Sequence, residues 1–265
     1  MRHWTIDDLD WGRLDAQRAR ADTLLYYLVA GASFVETGAE LYTSNLVRHF
    51  SHPALRRWLG ERWQAEELQH GRALRRYVET AWPELDWPRA YEAFFAEYSA
   101  FATVEALEDE PALELVARCV IETGTSTFYT ALQRRAEEPV LRQLTGYIAR
   151  DEVSHYRHFR DFLEETRRGA GIGRAGILRA LVRRMAQVKS EDAYVGFKHA
   201  WRMRHPGAEF REELYARFQA DVRAVVERYY PYRMAAQMLL RPLDLGRGWS
   251  RIALPLLEHG VRHAI

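Results

Sequence analysis

Two residue pairs limit this chain more than anything else in it: Glu67 with His70, and Glu152 with His155, each three positions apart. On an α-helix that spacing puts a carboxylate and an imidazole on one face, within reach of a single ion. One such pair is weak evidence, since chance supplies about one in a chain of this length. Their surroundings carry more. Ser51-His52-Pro53 breaks the chain between Glu36 and Glu67, and each arm is about 15 residues, or roughly 22 Å at 1.5 Å per residue. Glu36 therefore stands level with Glu67. Glu137-Glu138-Pro139 divides Glu122 from Glu152 in the same way. The spacing predicts two helical hairpins that bring four glutamates and two histidines to one height, an arrangement suited to two metal ions.

The apolar pattern supports those hairpins. Apolar residues recur at helical spacing, as in Leu24, Leu25, Leu28, Val29 and in Leu181, Val182, Met185, Val188, and no segment reads convincingly as a strand. A helix is expected from about Ala21 to Phe50, a second from Pro53 to Ala81 and a crossing helix from Arg89 to Leu107. Pro111 opens a third core helix, and a fourth runs from Pro139 to near Gly169, where Gly169, Gly171, Gly173 and Gly176 end it. The expected fold class is all-α, a ferritin-like four-helix bundle with a long crossover plus additional C-terminal helices. In chain order it reads as an N-terminal arm at 1–20, the bundle at 21–168 and a helical extension at 169–265.

Composition removes several functions. No run approaches the roughly 20 apolar residues of a membrane span, and Met1-Arg2-His3-Trp4 lacks a secretory apolar region, so a cytoplasmic protein is expected. A formal net charge of +1 gives no general pull toward nucleic acid. Cys119 is the single cysteine, which excludes an internal disulfide and a cysteine-based zinc or iron-sulfur site. Electrons must then come from another molecule.

The candidate metal ligands are Glu36, Glu67, His70, Glu122, Glu152 and His155. Four carboxylates neutralise two divalent cations, so with neutral imidazoles a buried site carries no net charge. Glu36-Thr37-Gly38 is echoed by Glu122-Thr123-Gly124, as in a degenerate repeat, and this favours Glu36 over its neighbour Glu40. Glu66 and, more strongly, Asp151 are placed to hydrogen-bond the histidine of the opposite pair. His158 competes with His155 but reads better as a supporting or surface residue. Cys119 reads as a small core residue, and His49, His52, His199, His205, His259 and His263 as structural. The run from Glu122 to Thr127 places glycine and hydroxyl residues in mid-helix, against local preference. Room for dioxygen and substrate, with hydroxyls such as Thr125 passing protons, is one account of it; a close helix crossing is the other.

These segments resemble a known family. Trp63-Gln64-Ala65-Glu66-Glu67-Leu68-Gln69-His70-Gly71 is similar to a segment of soluble acyl-carrier-protein desaturases, as is Ala149-Arg150-Asp151-Glu152-Val153-Ser154-His155. Glu122-x-x-Thr125 resembles their third-helix motif. The resemblance spans about Glu36 to Leu163 and implies two irons, with manganese left open, together with dioxygen, an organic substrate and a ferredoxin-like electron donor. Thr125 and Asp151 are the expected catalytic residues beside the ligands. An acyl carrier protein is a candidate partner, and a homodimer stays open. The function expected is an oxygen-activating desaturase or oxygenase; a ferritin-like iron-handling or peroxide-consuming protein is the alternative. Between Glu165 and Glu191 no acid occurs, while Arg167, Arg168, Arg174, Arg179, Arg183, Arg184 and Lys189 supply positive charge that would suit an acidic partner or an anionic membrane.

Overall fold

Several helices start at a capping side chain. In the computed structural model, which describes residues 3–187 and 191–264, Asp15 caps the short helix α1 (Ala16–Arg20) by accepting from Arg18 N. Asp22 caps α2 (Thr23–Thr37) through Leu25 N, so the first long helix begins two residues later than expected. It also stops early. Gly38 donates to both Phe34 O and Val35 O, and the chain restarts as α3 (Ala39–His49). The single helix expected from Ala21 to Phe50 is therefore two, broken at Gly38, two residues after Glu36 and two before Glu40.

Pro53 then opens α4 (Pro53–Trp58) with His52 accepting from Leu55 N. A five-residue π-helical turn, Leu59–Trp63, joins it to α5 (Gln64–Ala81). Such wide turns inside helices gather at functional sites, and this one precedes Glu67 directly. The crossing helix α6 (Trp87–Tyr98) is capped by Asp86 and ends well before Leu107; the chain continues in turns, where Asn45 Nδ2 donates to Ala102 O at 2.7 Å. Pro111 opens α7 (Pro111–Arg135) as expected. Buried Glu138 caps α8 (Pro139–Thr166), accepting from Val140 N and Leu141 N. The remaining helices are α9 (Arg174–Gln187), α10 (Glu191–Arg204), α11 (Glu212–Tyr229), α12 (Tyr232–Leu240) and α13 (Arg247–Ala264). Among the described residues there is no strand, and no helix is long and apolar enough to cross a membrane. The fold class is all-α and ferritin-like, as expected.

Two compact units interleave along the chain: residues 1–106, 135–147 and 190–222 form one, and residues 107–134, 148–189 and 223–265 the other. In the first, α2 packs between α5 and α10. Small residues meet at the α2–α10 contact, where a Cβ on Gly196 would lie 3.3 Å from Gly31 Cα. Interior polar groups of this unit pair across the sequence, as where Trp87 Nε1 donates to Ser33 Oγ and Tyr26 OH to Ala200 O. In the second, α12 packs on α13, and buried Tyr156 of α8 donates to Met238 O at 2.6 Å.

The basic run of α9 is partly engaged. Arg183 pairs with Glu108, Arg174 donates to Leu243 O and Asp244 O, and Arg167 pairs with Asp244. Val188 and Lys189, both part of that run, lie outside the described residues.

Candidate metal centre

In the first unit, Glu36 comes from the last turn of α2, and Glu67 and His70 from α5. All three are buried, His70 completely. His70 Nδ1 lies 3.8 Å from Glu36 Oε2 and 3.9 Å from Glu67 Oε2. Those separations are too long for hydrogen bonds. They suit donors sharing one ion: with ligand bonds of about 2.1 Å, two donors stand roughly 3.0–4.2 Å apart for angles from 90° to 180°. The approach depends on Gly71, the residue after His70. A Cβ there would lie 2.7 Å from Thr37 N and 2.8 Å from Thr37 Cα, so only glycine lets α2 and α5 come this close.

The second unit repeats the chemistry. Glu122 comes from α7, Glu152 and His155 from α8, and all three are buried. His155 Nδ1 lies 3.8 Å from Glu122 Oε2 and 3.7 Å from Glu152 Oε2. Within each triad, every residue offers a ligand atom within 4.8 Å of the others, so each could hold a metal ion. Glu40, on α3, is exposed, whereas Glu36 is buried. His158 Nδ1 is 2.8 Å from Ser154 O, a carbonyl that can only accept, so that nitrogen carries a proton and serves the helix backbone.

Each triad has a hydroxyl on its motif glutamate. Thr125 Oγ1 donates to Glu152 Oε2 at 2.8 Å, and Tyr42 OH to Glu67 Oε2 at 3.4 Å. Thr125 was singled out through the resemblance of Glu122-x-x-Thr125 to a desaturase motif; Tyr42 was not, because it follows the unexpected break at Gly38. Trp4 was missed too, although its indole lies parallel to the His70 imidazole, centroids 6.1 Å apart. Asp151 is half-buried on α8, beside Glu152. Glu66 turns toward Arg62 at 3.1 Å and His3 at 3.2 Å.

The hydroxyl-rich run of α7 stays helical. Thr123 and Thr127 donate to the carbonyls of Cys119 and Thr123, four residues back, which satisfies their hydroxyls inside the helix. Gly124 is not a packing contact: a Cβ there would meet nothing within 4 Å. The close-crossing account of this glycine therefore fails. Cys119 is buried, and burial, with the Glu122 carboxylate next in weight, pushes its thiol well above the usual range, so it is an inert core residue.

What the residues offer is thus two buried carboxylate-imidazole triads, each able to hold a metal ion. No curated protein matches the sequence. Residues 39–188, more than half of the chain, match the fatty acid desaturase family, and that span contains five of the six triad residues together with both Glu-x-x-His pairs. On that match, and in keeping with its buried triads, the chain belongs to the fatty acid desaturase family, whose members are oxidoreductases.

Proposed function

We propose that the two triads close on one di-iron centre and that the protein is an oxygen-activating desaturase or oxygenase acting on an acyl-type organic substrate. The carrying observation is the pair of buried triads, each with two carboxylates and one imidazole at ion-sharing distances. Four carboxylates and two neutral imidazoles leave no net charge around two divalent cations, and without cations they repel one another in a low-dielectric interior. Two irons would supply the dioxygen binding and redox steps that oxidation of an unactivated carbon chain requires.

The protein's own part is positional. Glu36, Glu67 and His70 hold one metal, and Glu122, Glu152 and His155 the other. Thr125 and Tyr42 fix the carboxylates of Glu152 and Glu67 by hydrogen bonding, and Asp151 serves the ligand shell from beside Glu152. An external one-electron donor such as a ferredoxin supplies the electrons, since the single buried cysteine cannot build a cluster. A carrier-bound acyl chain is the substrate form that the exposed arginines Arg168 and Arg179 would recognise.

Anaerobic loading with ferrous iron tests the reading. Two irons per chain are expected, with Glu67→Ala and Glu152→Ala each losing about one. Full loading of the double variant, by elemental analysis, overturns the ligand assignment. Iron accumulating far beyond two per chain on exposure to air would identify a storage protein instead.

A further inference from the structure

We propose that the N-terminal segment 3–9 is a working part of the metal centre, and that Trp4 is a positioning residue for His70. The inference rests on the reading of Glu36, Glu67 and His70 as metal ligands. Trp4 is 8% exposed although it lies in a stretch outside any helix. Its indole is offset-parallel to the His70 ring, 5° between planes, at a centroid distance within the range of favourable aromatic pairs. Tyr147 stacks on Trp4 as well, at 5.2 Å and 27°.

The segment is held by the turn of α5 that carries the ligands. Gln69 Nε2 donates to Trp4 O at 3.0 Å, and Glu66 accepts at Oε1 from Arg62 while pairing with His3. Glu66 and Gln69 are the residues immediately before Glu67 and His70. One helical turn therefore sends two side chains inward as ligands and uses their neighbours to fasten the segment over the imidazole. Further along, Gln143 Nε2 donates to Asp8 O at 3.2 Å and Leu9 is buried. Thr5 and Asp8 close a capping box on the short turn Ile6–Asp8, which stiffens the segment between its anchors.

A ring held parallel to an imidazole restricts its rotation, and an imidazole that cannot rotate presents its nitrogen at a fixed angle to a metal. The indole also keeps water from the ligand, which slows exchange of whatever ion the triad holds. Removing the ring should thus act on metal affinity and on metal release together, with little change in secondary structure.

Cobalt(II) titration of the full chain tests this, with affinity read from ligand-field absorbance and release followed after adding EDTA. Trp4→Ala is expected to weaken binding about tenfold, in the range of losses at supporting residues, and to speed release, while Trp4→Phe retains most of both. Gln69→Met, which removes the hydrogen bond to Trp4 O and leaves the ring, should give a smaller shift in the same direction and covers the case in which Trp4→Ala misfolds. Wild-type affinity and release in Trp4→Ala, or in Gln69→Met if the former does not fold, overturns the proposal. So does a Trp4→Phe variant as impaired as Trp4→Ala. Failure of the wild-type protein to bind cobalt at all would refute the metal-site reading instead, which separates the two.

Discussion

Replacing Gly71 with alanine should do two opposed things, and Gly124 supplies the control. Both glycines lie in helix interiors, where alanine is favoured by about 1 kcal/mol. At Gly124 the new methyl meets nothing within 4 Å, so Gly124→Ala should stabilise by about that amount. At Gly71 the Cβ would stand 2.7 Å from Thr37 N, and ordinary contact begins at 3.4 Å, so α2 and α5 must part by about 0.7 Å. The obstructing atoms are backbone and cannot swing aside. Overpacking of this kind costs about 1–3 kcal/mol, which leaves Gly71→Ala between neutral and about 2 kcal/mol destabilised. The measured quantity is the gap between the two variants in urea denaturation of the metal-free protein. A gap of about 2 kcal/mol corresponds to roughly 4–8 °C in Tm at this chain size. Because Thr37 follows Glu36 and Gly71 follows His70, Gly71→Ala should also weaken cobalt binding, whereas Gly124→Ala should change it far less. Equal stabilisation of both variants would refute the close-approach argument, since helix propensity alone would then explain them.

Two further outcomes are expected. Thr125→Val removes the hydroxyl 2.8 Å from Glu152 Oε2 and should lower metal affinity by about tenfold, with Thr125→Ser restoring it; equal affinity in all three proteins, by cobalt titration, would show that the bond does not orient the ligand. Cys119, buried with its thiol held protonated, should resist an aromatic disulfide reagent in the native protein at pH 8 and react fully in urea; rapid native labelling would contradict its core placement.

Local patterns were legible where the physics is local. Spacing of three placed Glu67 beside His70 and Glu152 beside His155, because helix geometry fixes which side chains share a face. Pro53, Pro111 and the Glu137-Glu138-Pro139 turn marked helix starts for the same reason. The break at Gly38 was hidden, since glycine is tolerated inside helices and nothing adjacent forbade continuation; α2 ends there as Gly38 takes ψ of 7° and its N–H also reaches Val35 O, three residues back. Gly71 was visible as a motif residue, but its reason, the Thr37 backbone 34 positions away in sequence, was not. Tyr42 and Trp4 reach the ligands by contacts across 25 and 65 or more positions, and no periodicity carries that information.

Charge was the property least readable from the sequence. The acid-free run after Glu165 counts as strongly basic, yet a count assigns every arginine to solvent. Folding brings acids and carbonyls from elsewhere to meet them: Glu108 reaches Arg183, Asp244 pairs with Arg167, and Arg174 closes on the carbonyls of Leu243 and Asp244. Arg183 and Arg167 are poor candidates for steering a partner, because a guanidinium already facing a carboxylate presents little net field to an approaching acidic surface. Arg168 and Arg179 are exposed, and charge-steered docking on this face is best tested there. Reversal of Arg183 would also break its pair with Glu108, whereas substitutions at exposed Arg168 and Arg179 report on partner recognition without that complication.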